Sequence, residues 1–85
     1  MNNSSLAPFP VLAIDAGNTR IKWGLRIGEE WEARGALATA DAAKLGRDWP
    51  AFPVGTRALG SNVGGYAVQT FLYEACERHG LVLSL

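Results

Sequence analysis

A hairpin pattern near the beginning of the chain constrains the fold more than any other feature. Residues 11–16 form a short apolar run of strand length, and residues 20–26 alternate polar and apolar side chains with a period of two. Gly17 and Asn18 separate the two patterns, and both residue types tolerate the positive φ of a tight turn. We therefore predict an antiparallel β-hairpin closed by a two-residue turn.

The predicted turn places Asp15 opposite Arg20 and sorts the hairpin side chains into two faces. The apolar face consists of Leu12, Ile14, Ile21 and Trp23. The other face carries Ala13, Asp15, Arg20, Lys22 and Gly24. Turn N–H groups, a Thr hydroxyl and a Lys suit phosphate oxygens, whereas an Asp suits a magnesium ion and its waters. On local chemistry alone two interpretations stand: a phosphate-binding hairpin, or an ordinary turn with solvated charges.

The rest of the chain predicts three more strands and two helices. Residues 30–37 alternate again, with Trp31 on the apolar side, and indicate a third strand. Thr39 is the expected cap of a short helix over residues 40–45. A strand over residues 56–60, an amphipathic helix from Val63 to about Gly80 and a final strand over residues 81–85 follow. The order β-β-β-α-β-α-β predicts an α/β fold, a mixed sheet whose last two strands join in parallel through right-handed crossovers.

Composition excludes several classes of protein. The 85 residues are 48% hydrophobic, which is too apolar for disorder, and 8 Lys+Arg balance 8 Asp+Glu, which leaves no basic excess for nucleic acid. Cys76 is the single cysteine, so no internal disulfide forms, and no Cys/His cluster has metal-ligand spacing. There is neither a signal-peptide pattern nor an apolar run of about 20 residues. We expect a cytoplasmic protein that binds neither nucleic acid nor membrane, with residues 1–9 as a flexible leader and residues 10–85 as one domain.

Residues 14–24 closely resemble the first phosphate motif of the type III pantothenate kinases. That family includes the Bvg accessory factors and belongs to the actin-like ATPase superfamily, and its Asp-x-Gly-Asn-Thr hairpin grips the ATP phosphates and helps to place magnesium. The resemblance implies a nucleotide-contacting stretch made of Asp15, Ala16, Gly17, Asn18, Thr19, Arg20, Ile21 and Lys22. Within this stretch, the resemblance implies that Asp15 helps to hold the magnesium ion, directly or indirectly. Residues 59–65 more loosely resemble the family segment that leads into the second helix, with Gly64 and Gly65 in place of Val-Pro.

The resemblance also implies a fold, a reaction and partners. The fold is part of an actin-like ATPase (ribonuclease H-like) half-domain, so residues 10–85 form an incomplete N-terminal half-domain. The reaction is ATP-dependent phosphorylation of pantothenate to 4′-phosphopantothenate, the first step towards coenzyme A, with Mg²⁺ and a monovalent cation (K⁺ or NH₄⁺) in a homodimer. The family's general base is an Asp in a Gly-x-Asp-Arg motif, which these 85 residues lack. No catalytic residue is therefore assigned, and the chain alone is expected to be inactive.

Three other interpretations remain open at this point. The first is a non-catalytic regulatory or accessory protein that keeps the nucleotide hairpin. The second is another actin-like sugar or acetate kinase, although Asn18, Thr19 and the spacing to Lys22 fit the pantothenate family better. The third is a small structural domain with no ligand. Outside the motifs, Trp23 and Trp31 are predicted to be core, Cys76 to be inert core, and His79 to cap the C-terminus of its helix.

Overall fold

The structure, a computed structural model, describes residues 9–85 and contains one five-stranded sheet. Its elements in chain order are β1 (Pro10–Ala16), β2 (Arg20–Ile27), β3 (Glu30–Ala38), a 3₁₀ helix (Thr39–Lys44), β4 (Arg57–Asn62), α1 (Tyr66–Arg78) and β5 (Leu83–Ser84). The predicted leader over residues 1–9 lies outside the described residues except for Phe9, which is exposed. Within residues 9–85, no helix combines the length and the apolar character that crossing a bilayer requires.

The sheet is mixed, as the sequence predicted. Its strand order is β3-β2-β1-β4-β5, with antiparallel pairing of β1 with β2 and of β2 with β3. Strand β4 pairs with β1 in parallel, and β5 pairs with β4 in parallel. The α/β class and the parallel placement of the last two strands are therefore confirmed. The first predicted α-helix is wrong in type, because residues 39–44 form a 3₁₀ helix in which Asp41 leaves helical geometry at φ −103° and ψ 22°.

The predicted register of the first hairpin is wrong by two residues. Asp15 lies opposite Lys22, not Arg20, and the Gly17 N–H donates to the Arg20 carbonyl over 2.9 Å, so Asn18 and Thr19 form the centre of the turn. The expected positive φ is absent: of residues 9–85, only five glycines adopt it, and Gly17 is not one of them. A Cβ on Gly17 would lie 3.2 Å from the Arg20 carbonyl oxygen, so this glycine permits a close backbone approach instead.

A two-residue shift leaves each side chain on the same face, since strand side chains alternate with a period of two. The predicted apolar face therefore forms the core, where Leu12, Ile14 and Ile21 are buried. Helix α1 covers this face, as does the segment that runs through the 3₁₀ helix to Trp49; their buried side chains are Ala42, Leu45, Trp49, Val68, Leu72, Ala75 and Cys76. The opposite face of the sheet, called here the open face, carries no helix among the described residues.

Trp31 lies on the open face, so its predicted place in the core is wrong. A β-bulge is the cause: Leu25 pairs with Ala33 but Arg26 pairs with Trp31, which leaves Glu32 without a partner in the ladder. The extra residue reverses the side of the strand on which Trp31 projects, and its side chain is 42% exposed. Trp23 keeps its predicted side, half-buried against the core.

The observed limits of several elements differ from the predicted ones. Thr39 does not cap the 3₁₀ helix, which has no side-chain cap. Helix α1 begins at Tyr66 rather than Val63, because Gly65 takes φ +98° and breaks the helical path. Strand β4 continues to Asn62, two residues beyond its predicted end, and β5 is shortened to Leu83–Ser84.

His79 is the C-cap residue of α1, but its ring does not bond to its own helix. The ring Nε2 lies 3.0 Å from the Gly46 carbonyl, and the centre of the ring lies 5.2 Å from the centre of the Trp49 ring.

Cys76 is buried as predicted, and burial raises the pKa of its thiol to about 11. Since the thiolate is the reactive form of cysteine, this raised pKa disfavours reaction of the group at neutral pH.

Candidate functional site

The turn between β1 and β2 is held in place by Thr39, the first residue of the 3₁₀ helix that follows β3. The Thr39 N–H donates to the Thr19 carbonyl over 2.9 Å, and the Thr39 hydroxyl donates to the Gly17 carbonyl over 2.9 Å. One residue thus ties both sides of the turn, while the Asn18 and Thr19 side chains stay exposed. The sequence analysis missed this role, because a Thr just before an Ala-rich segment with an Asp in its first turn has the same pattern as a helix cap.

Asp15 occupies the last exposed position of β1, next to this turn. Its register partners are Lys22 on β2 and Ser61 on β4, so a cation and a hydroxyl stand on its two sides. The Ser61 hydroxyl donates to Asp15 Oδ1 over 3.1 Å. The carboxylate is exposed, which leaves its second oxygen open to a ligand.

The segment that follows β4 lies beside the same turn. The Val63 N–H donates to the Ala16 carbonyl over 2.9 Å, which extends the contact between the parallel strands. The Asn62 side chain then folds back on its own loop: Oδ1 accepts the Gly64 N–H over 2.7 Å, and Nδ2 donates to the Gly65 carbonyl over 3.0 Å. The two sequence segments that resemble the kinase motifs are therefore adjacent in space.

The eight predicted site residues differ in their exposure to solvent. Asp15, Asn18, Thr19, Arg20 and Lys22 are exposed, and Gly17 is half-buried in the turn. Ala16 and Ile21 are 1% and 0% exposed, with side chains in the core, so only their backbone groups face the turn. The exposed group stands where the parallel strands β1 and β4 reach their carboxyl ends, the usual position for ligands of open α/β sheets.

The donors at this edge fit a magnesium ion that is shared with a bound phosphate. Mg²⁺ keeps several waters and takes one or two carboxylates together with substrate phosphates, so the exposed Asp15 carboxylate is a suitable ligand. Residues 9–85 contain no group of three or more acidic, His or Cys side chains around one point, so an all-protein metal cage is not formed by them.

Comparison with known proteins identifies the relatives of the chain. No protein-family model matches the sequence. The chain is 54% identical over 55 residues to a type III pantothenate kinase of Aromatoleum aromaticum, a match that covers 65% of the chain and 23% of that protein. It is 41% identical over 64 residues to a type III pantothenate kinase of Nitrosospira multiformis (75% and 24%) and 42% identical over 66 residues to one of Nitrosomonas eutropha (76% and 24%).

The matches cover most of the chain but only part of each relative. The chain spans about a quarter of the length of the curated relatives that it matches. Identities of 41–54% over 55–66 residues go well beyond the eight residues of the phosphate motif. The chain belongs to the type III pantothenate kinase family.

Proposed function

We propose that the β1–β2 turn binds the phosphates of ATP, and that the protein phosphorylates pantothenate to 4′-phosphopantothenate in the cytoplasm. One observation carries the proposal: Asp15, the turn at Asn18 and Thr19, and the loop after Ser61 meet at one edge of the sheet. The names of the relatives supply the acceptor, since phosphate-binding geometry by itself does not choose between acceptors.

Phosphoryl transfer depends mainly on positioning and on neutralising charge, and the turn offers both. The Thr39 hydrogen bonds hold the turn backbone in place before a ligand arrives, which reduces the ordering that binding requires. Lys22 brings a positive charge beside Asp15, where phosphate oxygens would lie. Mg²⁺ held by Asp15 and the phosphates would neutralise further charge on the nucleotide.

The chain supplies only part of the proposed active centre. In the family that the sequence resembles, the general base lies in a Gly-x-Asp-Arg motif, and these 85 residues contain none. We therefore assign nucleotide binding to this chain and no proton transfer. Residues 10–85 correspond in this proposal to part of an actin-like half-domain. The homodimer and the monovalent cation of the family belong to the proposal as well, without an assigned residue here.

A titration of the ¹⁵N-labelled chain with ATP, with and without Mg²⁺, tests the proposal by NMR. We expect shifts at the amides of Gly17, Asn18 and Thr19, larger with Mg²⁺ present. Asp15→Asn should remove the Mg²⁺-dependent part of the shifts and leave the fold intact, because the side chain is exposed. Asp48→Asn is the matched control, since Asp48 is an exposed carboxylate on the helix side of the sheet.

If the Mg-ATP binding curve of Asp15→Asn coincides with that of the unmodified chain, the proposal is contradicted. A second readout concerns the acceptor. Phosphorylation of pantothenate with release of ADP, measured when the general base that these 85 residues lack is supplied, should depend on the same carboxylate. Equal activity on acetate or on a sugar would favour a different kinase of the superfamily.

A further inference from the structure

Ser61 on β4 is a direct neighbour of the Asp15 carboxylate on β1. The two residues are register partners in the parallel part of the sheet, and the Ser61 hydroxyl donates to Asp15 Oδ1 over 3.1 Å. Within residues 9–85 the one ion pair joins Lys44 and Asp41, so Lys22, the register partner of Asp15 on the other side, forms no ion pair with it. The hydrogen bond that orients the carboxylate therefore comes from a neutral hydroxyl.

The backbone holds Ser61 in place before any ligand binds. Just before this position β4 approaches β1 closely, because Gly60 has no side chain: a Cβ there would lie 3.0 Å from the Ile14 carbonyl oxygen. Just after it, the Val63 N–H donates to the Ala16 carbonyl over 2.9 Å. Ser61 thus lies between two points at which β4 is fixed to β1, and its short side chain is enough to reach the carboxylate.

The Asp15 carboxylate needs such a partner in order to keep one orientation. The last torsion of an Asp side chain is broad, so the plane of the carboxylate is fixed only by its surroundings. Asp15 is exposed, and burial therefore does not fix it. A hydrogen bond to Oδ1 fixes the plane and leaves Oδ2 for a cation, in the way that carboxylate ligands of metal sites are themselves hydrogen-bonded. Because the donor is neutral, the carboxylate also keeps its negative charge for the cation.

We propose that Ser61 is a positioning residue for the Mg²⁺ that is bound together with ATP. Its hydroxyl holds the Asp15 carboxylate so that Oδ2 is free for the metal ion, and it acts through Asp15 rather than on the nucleotide. This inference rests on the proposed function, which assigns Mg²⁺ to Asp15. It gives the end of β4 a role in the site that is distinct from the phosphate contacts of the β1–β2 turn.

Four variants of the ¹⁵N-labelled chain test the proposal. Ser61→Ala removes the hydroxyl, and Ser61→Thr keeps a hydroxyl on a residue that suits a strand. Ser84→Ala is the matched control, because Ser84 is an exposed serine of β5 that pairs with Leu59 outside the site. The fourth variant combines Ser61→Ala with Asp15→Asn. All three positions are exposed, so we expect every variant to fold.

NMR titrations give the Kd of each variant for ATP with Mg²⁺ and, separately, for ATP with EDTA, which removes divalent cations. We expect Ser61→Ala to raise the Kd for Mg-ATP about tenfold, the usual effect of losing the hydrogen-bond partner of a metal ligand. Its Kd for metal-free ATP should change less than twofold. Ser61→Thr and Ser84→Ala should stay within twofold of the unmodified chain in both titrations.

The combined variant shows whether Ser61 acts through Asp15. Once Asp15→Asn is present, Ser61→Ala should have no further effect on the Kd for Mg-ATP, because both changes remove the same contact. Independent effects that multiply in the combined variant would contradict the proposal. A purely structural role for Ser61 would weaken the binding of ATP equally with and without Mg²⁺, and this result would overturn the proposal as well.

The titrations also separate this inference from the proposed function. If Asp15→Asn removes the Mg²⁺-dependent part of binding while Ser61→Ala leaves the Kd for Mg-ATP unchanged, the role of Ser61 is wrong and the proposed function stands. If Mg²⁺ adds nothing to the affinity of the unmodified chain for ATP, the assignment of Mg²⁺ to Asp15 is wrong, and the role of Ser61 is wrong with it.

Discussion

The two faces of the β2–β3 ribbon each place a tryptophan over a glycine, and the two contacts differ in their surroundings. On the core face Trp23 lies over Gly35, where a Cβ would come within 2.6 Å of the ring. On the open face Trp31 lies over Gly24 at the same distance. Trp23 is packed among core side chains, whereas Trp31 contacts two arginines and stays 42% exposed. The same local contact thus contributes to core packing on one face, and on the other face it positions a ring that contacts two arginine side chains.

The largest expected effect concerns the core face. Leu72 is 0% exposed, and its truncation leaves a cavity that rigid neighbours fill only in part. Leu72→Ala should lower the free energy of unfolding by about 2–5 kcal/mol, measured by urea denaturation. Glu74→Ala, on the exposed side of the same helix, is the control and should change it by less than about 0.5 kcal/mol. A loss below about 1 kcal/mol for Leu72→Ala would mean that α1 does not pack tightly on the sheet.

The two glycines test the comparison directly. Gly35→Ala forces Trp23 to move within the core, and overpacking of this kind costs about 1–3 kcal/mol. Gly24→Ala displaces Trp31, which can swing towards solvent, so the loss of stability should be smaller. Denaturation of both variants, followed by tryptophan fluorescence, gives the difference. A larger loss for Gly24→Ala would show that the open face is packed as firmly as the core face.

Thr39 tests whether the turn depends on its contact with the end of β3. Thr39→Val removes the hydroxyl that donates to the Gly17 carbonyl and should cost about 1 kcal/mol. Hydrogen exchange at the Asn18 and Thr19 amides should accelerate. Thr56→Val is matched to it, because Thr56 donates to the Pro53 carbonyl in a local turn far from the site. Equal acceleration in both variants would contradict a specific role for Thr39.

The smallest effect at neutral pH comes from Cys76. Its folded pKa of about 11 exceeds the ordinary value of 9.0, so the folded protein retains the thiol proton that the unfolded chain loses between these values. Stability should therefore fall as the pH rises from 9 to 11, and the fall should be absent in Cys76→Ala. The measurement is the difference between the two unfolding free energies across this range. Parallel curves would contradict the burial of the thiol.

Sequence patterns predicted the strands and their faces well, because alternation depends only on local residue order. They predicted the register badly, since the pairing of Asp15 depends on the conformation of the turn, and Gly17 contributes a close approach rather than a positive φ. Trp31 was misplaced because one bulged residue reverses a side chain without a change in composition. Thr39 was misread because its partners are far away in the sequence, with Gly17 22 positions before it, although they are adjacent in the fold.

The hydrogen bond between Ser61 and Asp15 joins residues that are 46 positions apart in the chain. Short turns join β1, β2 and β3, so their pairing closes only short loops. The contact between Ser61 and Asp15 forms only after the longer connection from β3 to β4 has been brought back to the sheet. We therefore expect the site edge to be completed after the local ribbon has formed. A ligand that needs this edge binds only the finished sheet, and by mass action it shifts the folding equilibrium towards the native state. For this chain, the apparent affinity for such a ligand would depend on the fraction of the population that is folded.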